Sequence, residues 1–239
     1  MEAACSEFPA LRDKVVQLCD DYLYEDAAQF IVDELGIKFL DRAIEEHFGR
    51  ENLPIHGPVQ LFPYIFKQGC ITTNFDYILN RTYISQNIRF VYDIYGSALV
   101  DAHKKFAREP RCLFRLHGEA MTSHGRILTA SEYGSAYKND SALAQVLDNL
   151  VAARSLLFLG ASLDNDRTVQ ALIEIERGAI AQKQRHFSFT QYVSDEGKRR
   201  EKFTLLNAAG INPIWYPEDD HDQYIEDLLL SLSGGPIDD

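Results

Sequence analysis

The fold of the chain is decided by a short apolar run that breaks into polar residues and then begins a helix, Cys70-Ile71-Thr72-Thr73-Asn74-Phe75-Asp76-Tyr77-Ile78-Leu79. This pattern predicts a buried strand whose carboxyl end carries Asn74 and Asp76. Ligands of open α/β sheets bind outside the carboxyl ends of the strands, so both side chains are candidates for a binding site. The structural alternative is that Thr73 or Asn74 only caps the following helix.

Composition and charge limit the classes of protein to which the chain can belong. The 239 residues are 46 % hydrophobic and 25 % charged, which is typical of a globular chain with one large domain or a domain and a helical annex. The net charge of -12 argues against direct nucleic-acid binding, and the densest basic run, 198–202, suits a solvated helix face. No apolar run reaches the roughly 20 residues of a membrane span, and the N-terminus does not resemble a signal peptide. We therefore expect a soluble, cytoplasmic protein.

Hydrophobic periodicity changes near residue 68. Residues 9–66 follow helical spacing, whereas short apolar runs alternate with helical segments from Gly69 onward, the signature of βαβ units. The predicted strands are 70–73, 89–92, 112–116, 155–159, 186–190 and 212–216, and the later predicted helices are 141–154, 167–182, 194–209 and 220–231. We expect an α/β fold, a Rossmann-like, doubly wound parallel sheet with helices on both faces and an N-terminal helical module. The predicted boundaries are 1–67 for the module, 68–232 for the core and 233–239 for a frayed tail.

Two further strand ends carry candidate functional groups. The run Phe114-Arg115-Leu116-His117-Gly118 places a histidine and a glycine directly after an apolar strand. A lone histidine is often structural, so both interpretations stay open for His117. The run from Phe158 to Asp166 leads through Gly160 and Ser162 into a helix, where free amides and a hydroxyl suit a phosphate or ribose. The alternative is that Asp164 or Asp166 merely caps that helix.

The motifs taken together resemble those of a known family. Thr72-Thr73-Asn74-Phe75-Asp76, Leu116-His117-Gly118, Ile127-Leu128-Thr129 with Tyr133, and Leu159-Gly160-Ala161-Ser162-Leu163-Asp164 follow the order and spacing of SIR2-like proteins. The chain is most similar to the bacterial SIR2-like NADase domains of antiphage defence systems. The resemblance covers about residues 60–232 and implies a Rossmann-like sheet with a helical module, across whose strand ends NAD lies.

The resemblance also implies roles for individual residues. It makes Asn74 the amide that positions the ribose or the attacking water, and His117 the catalytic histidine. The implied cofactor-binding residues are Thr73, Asp76, Gly118, Gly160 and Ser162. Cleavage of the nicotinamide–ribose bond passes through an oxocarbenium-like state, which a base, a placed nucleophile and a neutral or anionic lining serve without a metal. NAD is thus the expected substrate, with no metal cofactor.

Two departures from the family pattern bear on activity. Such domains normally begin with a strand and a GAGxS-type loop that cradles the pyrophosphate, and no such loop occurs before residue 70. We expect either a shortened form of the domain or a cofactor site that lacks some phosphate contacts. The deacetylases of the wider family carry zinc on two cysteine pairs, whereas Cys5, Cys19, Cys70 and Cys112 are far apart and predict neither zinc nor a disulfide framework.

Three hypotheses follow from these observations. The first is an NAD glycohydrolase that yields nicotinamide and ADP-ribose, as an antiphage effector or a subunit of one. The second is a non-catalytic NAD- or nucleotide-binding module that regulates a partner. The third is an NAD-dependent deacylase or ADP-ribosyl transferase, which needs an acyl-lysine channel beside His117. A protein partner or homo-oligomer is expected because oligomerisation is common in similar effectors.

Overall fold

The computed structural model describes residues 8–50, 54–109, 111–138, 141–164, 167–178 and 184–234. The helices are α1 (Pro9–Asp20), α2 (Tyr24–Leu35), α3 (Ile37–Phe48), α4 (Phe62–Ile65), α5 (Ile78–Ser85), α6 (Ala102–Arg108), α7 (Ala130–Ala136), α8 (Ala142–Ala153), α9 (Arg167–Gly178), α10 (Glu196–Ala208) and α11 (His221–Ser233). The strands are β1 (Gly69–Thr72), β2 (Tyr92–Ile94), β3 (Cys112–Arg115), β4 (Leu157–Phe158), β5 (His186–Gln191) and β6 (Ile211–Tyr216). Pro58–Leu61 and Gly96–Asp101 are 3-10 helical.

The chain divides into two compact units. The first consists of Met1–Pro54 and Gln68–Ser141, and the second of Ile55–Lys67 and Ala142–Asp239. Each contains a three-stranded sheet with only parallel pairings, in the order β1-β3-β2 in the first and β4-β5-β6 in the second. Parallel pairing places the carboxyl ends of the strands of each sheet at one edge, which is where the loops with candidate functional residues begin.

In the first unit, β3 is the central strand and is buried along its whole length. The apolar stripes of α1, α2 and α3 form a separate core. That core consists of Val15, Ala27, Ala28, Ile31, Leu40, Ile44 and Ala120. Phe75 and Tyr77, from the loop after β1, pack against it. The helical segment thus supports the loop that carries Asn74.

In the second unit, β5 and β6 pair over six residues, from His186↔Ile211 to Gln191↔Tyr216. One apolar cluster combines residues of α8, α9 and α10 with Ile211 at the start of β6. Another joins Phe189 and Tyr216 to α4 and α11. The sheet of the second unit therefore contributes to two cores.

The α/β Rossmann-like class with parallel strands is confirmed. The hydrogen-bonded strands of the described residues form two sheets where the sequence predicted one. The second strand was wrongly predicted at 89–92: Phe90 packs on Tyr83 with ring centroids 4.4 Å apart, and pairing with β3 begins only at Tyr92. The short helices α6 and α7 were not predicted. Part of the predicted 167–182 helix and most of the expected tail lie outside the described residues.

Candidate functional site

The loop after β1 presents Thr73 and Asn74 on the surface of the first unit. The Asn74 backbone N–H donates to Thr72 Oγ1 at 3.0 Å, which turns the chain away from the strand. Asp76 Oδ1 accepts from the Ile78 N–H at 2.9 Å at the start of α5, whose N-cap residue is Tyr77, so neither Thr73 nor Asn74 is the N-cap. Within the described parts of the chain, the Asn74 side-chain amide makes no hydrogen bond, and the residue is exposed.

The loops after β1 and β3 continue side by side beyond the sheet. Thr72 pairs with Arg115 in register, and the Leu116 N–H then donates to the Thr72 carbonyl at 2.9 Å. Further along, the Ala120 N–H donates to the Phe75 carbonyl at 3.0 Å. Asn74 and His117 lie on the two segments between these bonds. The structure thus places both predicted catalytic residues at neighbouring strand ends of one sheet.

Arg115 is a buried side chain that binds the loop after β1, which carries Asn74. Its guanidinium is 1 % exposed and donates from Nε to both carboxylate oxygens of Asp93 on β2, at 3.0 and 3.3 Å. Nη1 donates to the Asp76 carbonyl at 2.8 Å, Nη2 donates to Asn80 on α5, and the group lies 5.2 Å from the centre of the Tyr77 ring. A buried arginine is stable only when its donors are satisfied, and here the acceptors belong to β2, to the loop after β1 and to α5.

A second buried arginine holds the loop after β3. Arg126 donates to the carbonyls of Glu119 and Ala120 at 3.2 and 2.8 Å, and to Asp41 Oδ1 on α3 at 2.6 Å. The Tyr77 hydroxyl donates to the buried Glu119 carboxylate. Within the described residues, every buried side-chain nitrogen and oxygen has a hydrogen-bond partner. The strand-end region of the first unit is therefore a closed polar network and not a loose pair of loops.

His117 is buried on the loop after β3, and both of its ring nitrogens are hydrogen bonded. Nε2 is 2.7 Å from the Tyr137 hydroxyl, and Nδ1 is 3.2 Å from the Tyr133 hydroxyl. Both tyrosine rings meet the imidazole edge-on, with centroids 5.0 and 5.9 Å away. Burial lowers the pKa of His117 to about 4, so the imidazole is neutral near pH 7. A neutral imidazole can accept a proton.

The helix that supplies these tyrosines begins at a capping box. Thr129 Oγ1 accepts from the Glu132 N–H, and the Glu132 carboxylate accepts from the Thr129 N–H at 2.9 Å. Helical bonds follow from Tyr133 N–H to the Thr129 carbonyl and from Tyr137 N–H to the Tyr133 carbonyl. Spacing of four residues places both rings on one face, where they stack at 5.8 Å.

Gly118 is required by the backbone. Its φ of +88° is in the left-handed region, and a Cβ there would lie 2.9 Å from Arg126 Cα and 3.1 Å from the Gly125 carbonyl oxygen. The neighbouring chain is close because the Ile127 N–H donates to the His117 carbonyl at 3.0 Å. This close approach explains the glycine without a ligand, and the cofactor role of Gly118 stays a prediction.

The turn after β4 belongs to the second unit and is open to solvent. Gly160 and Ser162 are exposed, and a Cβ on Gly160 would meet nothing within 4 Å. Leu163 adopts a φ of +48° and buries its side chain. Lys202 on α10 donates to the Ser162 carbonyl at 2.6 Å and to Asp164 at 2.9 Å. Asp164 thus pairs with a lysine, whereas Asn165 and Asp166 lie outside the described residues.

The sequence predictions also concern metal-ligating and thiol side chains. The described residues contain no group of three His, Cys, Asp or Glu side chains placed to bind a metal ion. The three described cysteines form no disulfide among the described residues, and burial raises the pKa of the Cys70 and Cys112 thiols to about 11, which keeps both thiols protonated near neutral pH. No described helix has the length and apolar character needed to cross a membrane.

Comparison with known families identifies the core. The family described as SIR2-like domain matches residues 68–214, more than half of the chain, and the match spans every predicted site residue. The chain belongs to the SIR2-like family. A SIR2-like domain points to an NAD-related function. A comparison with curated proteins finds no match for this SIR2-like chain.

Sequence reasoning missed the two buried arginines that support the site, and it predicted Tyr133 and Tyr137 only as a wall of the nicotinamide side or a lid packed on the sheet. Arg115 interrupts an apolar run, which is the signal that could have identified it, whereas Arg126 directly precedes the short apolar pair Ile127-Leu128. Tyr133 and Tyr137 are spaced by four residues, and Thr129 with Glu132 fits the capping-box pattern that starts a helix there. These signals predict the elements of the network but not which groups meet.

Proposed function

We propose that this SIR2-like chain is an NAD glycohydrolase that cleaves NAD to nicotinamide and ADP-ribose. The observation that carries the proposal is the placement of Asn74 and His117 on adjacent, hydrogen-bonded segments at the carboxyl ends of β1 and β3. One of these residues offers an exposed amide and the other a buried, neutral imidazole. The family supports the ligand, because SIR2-like members are NAD-using enzymes.

The electrostatics of His117 suit this reaction. As the bond from nicotinamide to ribose breaks, positive charge develops on the ribose. A cationic imidazole would repel that charge, whereas a neutral one can accept a proton from a ribose hydroxyl or from water. Burial keeps the imidazole neutral, since it lowers the pKa to about 4. The desolvation that lowers the basicity of His117 thus also favours the charge state that the reaction requires.

Asn74 and Asp76 supply complementary groups on the facing loop. The Asn74 amide can donate and accept, so it can orient a ribose hydroxyl or an attacking water. Asp76 contributes a carboxylate near the developing positive charge, although one of its oxygens accepts from the Ile78 N–H at the start of α5. Thr73 precedes this pair on the exposed loop. Thr73, Gly118, Gly160 and Ser162 remain predicted cofactor-binding residues.

Nicotinamide release by the purified chain tests the proposal directly. We expect activity in the wild type, a loss of about 100-fold or more in kcat for His117→Ala, and a loss of about 10-fold or more for Asn74→Ala. The exposed residues His47 and Asn149 offer matched controls, because each bonds only within its own helix among the described contacts. His47→Ala and Asn149→Ala should retain full activity. Equal loss in the controls, or an inert wild type, contradicts catalysis by this chain alone.

The occupied ring nitrogens of His117 favour a second candidate function. Because tyrosine hydroxyls already bond both nitrogens, a chain that never exchanges these bonds would bind NAD without cleaving it. The second candidate is therefore a non-catalytic NAD- or nucleotide-binding module. Calorimetric titration with NAD separates the two: saturable binding with no nicotinamide release supports the module, and release supports the enzyme.

The resemblance to antiphage NADases suggests a role for this activity in the cell. We infer a cytoplasmic effector of antiphage defence that acts with a protein partner or as a homo-oligomer. Phage infection of cells that express the wild type should lower cellular NAD, and cells that express His117→Ala should keep it. An unchanged NAD level in both strains would contradict the defence role while leaving the activity of the purified chain to be judged separately.

A further inference from the structure

The two hydroxyls on His117 restrict the protonation pattern of its ring. A neutral imidazole has one N–H donor and one acceptor nitrogen, whereas each tyrosine hydroxyl can either donate or accept. Only two arrangements satisfy both hydrogen bonds: either Tyr137 donates and Tyr133 accepts, or the reverse. Each places the ring proton on a different nitrogen, and therefore decides which nitrogen can act as the base.

The two distances distinguish these arrangements. N–H···O hydrogen bonds have typical separations of about 2.9–3.0 Å, and hydroxyl donors form shorter bonds, with about 2.7–2.8 Å to an oxygen acceptor. The Nε2 to Tyr137 separation is 2.7 Å and the Nδ1 to Tyr133 separation is 3.2 Å. The first fits a donating Tyr137 hydroxyl, and the second fits a donating Nδ1–H.

We propose that Tyr133 is a positioning residue that accepts the Nδ1–H of His117, and that Nε2, capped by the Tyr137 hydroxyl, is the basic nitrogen. This inference rests on the proposed function only where it concerns catalysis, since the protonation pattern exists without substrate. A group that accepts from one ring nitrogen fixes the orientation of the imidazole and keeps the other nitrogen unprotonated. In the reaction, a ribose hydroxyl or water takes the position of the Tyr137 hydroxyl at Nε2.

The same helix makes the arrangement rigid. Tyr133 lies on α7 and Tyr137, one turn later, is the C-cap residue of this helix, whose start is fixed by the Thr129 and Glu132 capping box. The Ile127 N–H bonds the His117 carbonyl, so the segment that leads into α7 is also tied to the residue whose ring it orients. The tyrosine hydroxyls therefore keep one position relative to the imidazole.

Nuclear magnetic resonance of the full chain labelled with ¹⁵N-histidine tests the inference without substrate. The ring signals of His117 are identified by their loss in His117→Gln. In the wild type near neutral pH, we expect the unprotonated nitrogen to correlate with both carbon-bound ring protons, which marks it as Nε2. An unprotonated Nδ1 in the wild type overturns the proposal.

Two phenylalanine variants remove one hydroxyl each and keep both rings. In Tyr133→Phe, Nδ1–H loses its acceptor, so the ring proton should move largely to Nε2, where the Tyr137 hydroxyl can accept it. In Tyr137→Phe, the proton should stay on Nδ1 while the Nε2 resonance shifts. A tautomer that is unchanged in Tyr133→Phe, or that changes only in Tyr137→Phe, contradicts the assignment.

Kinetics then separate positioning from stability. Tyr133→Phe should lower kcat for NAD about 10- to 100-fold with KM within about twofold, because the base is present in the wrong tautomer. Ser135→Ala, on the exposed face of α7 between the tyrosines, is the matched control and should keep both constants. A Tyr133→Phe enzyme with wild-type kcat overturns the positioning role. If the wild type does not cleave NAD, the spectra still decide the tautomer, so the two proposals fail separately.

Discussion

The strand ends of the two units differ in how their candidate residues are held. In the first unit, the His117 imidazole is buried and bonded by two tyrosine hydroxyls, and the exposed Asn74 lies on a loop whose Asp76 carbonyl accepts from the buried Arg115. In the second, Gly160 and Ser162 lie on an exposed turn whose side-chain support is Lys202. Burying charge is costly, and a network of this kind is expected where side-chain positions matter. An open turn offers backbone amides, which need little lateral support.

The largest expected effect of a substitution comes from Arg115→Met, which breaks the network of the first unit. It leaves the Asp93 carboxylate and the Asp76 carbonyl without their buried donor, and we expect it to lower the free energy of unfolding by about 3 kcal/mol. Urea denaturation measures the change. Arg42→Ala, which removes an exposed ion pair on α3, is the control and should have no measurable effect. Equal urea midpoints for Arg115→Met and Arg42→Ala would show that the buried network contributes no more to stability than an exposed ion pair.

The buried histidine predicts a pH dependence of stability. The pKa of His117 is about 4 in the folded chain and near 6.5 when unfolded, so the unfolded chain binds more protons between these values. Stability should therefore fall as the pH falls from about 6.5 to 4, by up to about 3 kcal/mol, and level off below. His117→Gln should remove this component from unfolding curves measured across the range. Parallel curves for the two proteins would show that burial does not depress the pKa.

Matched glycine substitutions compare the two strand-end regions directly. Gly118 and Gly160 both have positive φ, which costs an alanine about 1–2 kcal/mol. Only at Gly118 would the Cβ also meet backbone, at 2.9 Å, so Gly118→Ala should cost about 2–3 kcal/mol and Gly160→Ala about 1 kcal/mol. Thermal unfolding of both variants gives the difference. An equal loss of stability in the two variants would mean that the backbone at Gly125 and Arg126 shifts at little cost to accommodate the Cβ.

Gly160→Ala also sharpens the functional side of the comparison. If the open turn contacts a phosphate or ribose, an added methyl should raise KM for NAD while kcat stays near the wild-type value. Because a Cβ on Gly160 meets no atom within 4 Å, the substitution costs only the strain of its positive φ and should leave the chain folded for the measurement of KM. An unchanged KM would remove Gly160 from the predicted cofactor-binding residues.

The smallest effect is expected for Lys202→Met in the second unit. Its partner Asp164 is 68 % exposed, and such a pair contributes less than about 1 kcal/mol. Lys198→Met, on an exposed position of the same helix, is the reference, and the two melting temperatures should differ only slightly. A large destabilisation by Lys202→Met would show that the open turn depends on side-chain support as much as the first unit does.

The three strand ends with candidate residues were predictable because a short, largely apolar run stops there at polar residues or at glycine. That is how Asn74, His117 and Gly160 were located, and the family match covers all three. The support around them was not predictable from local pattern. Arg115 pairs with Asp93, and the strand that carries Asp93 was predicted three residues too early, at 89–92 and not at Tyr92–Ile94.

The tyrosine pair shows the same limit. The helix α7 is only seven residues long and contains glycine and serine, which are poor helix formers, so propensity gave no reason to place it. Its contact with His117 depends on tertiary packing that brings Tyr133 and Tyr137 over the strand end. Local sequence predicts which groups follow each strand, whereas long-range pairing decides what charge state and orientation those groups adopt.

The capping box of α7 also sets how far the chain tolerates changes in length. Each helical residue turns the chain by about 100°, so one residue inserted between Thr129 and Tyr133 would rotate the tyrosines away from the imidazole together. A deletion would rotate them the other way. Substitutions on the exposed face of α7 leave this angle unchanged. Substitutions at exposed positions of this segment should therefore be tolerated, whereas insertions or deletions between Thr129 and Tyr133 should not.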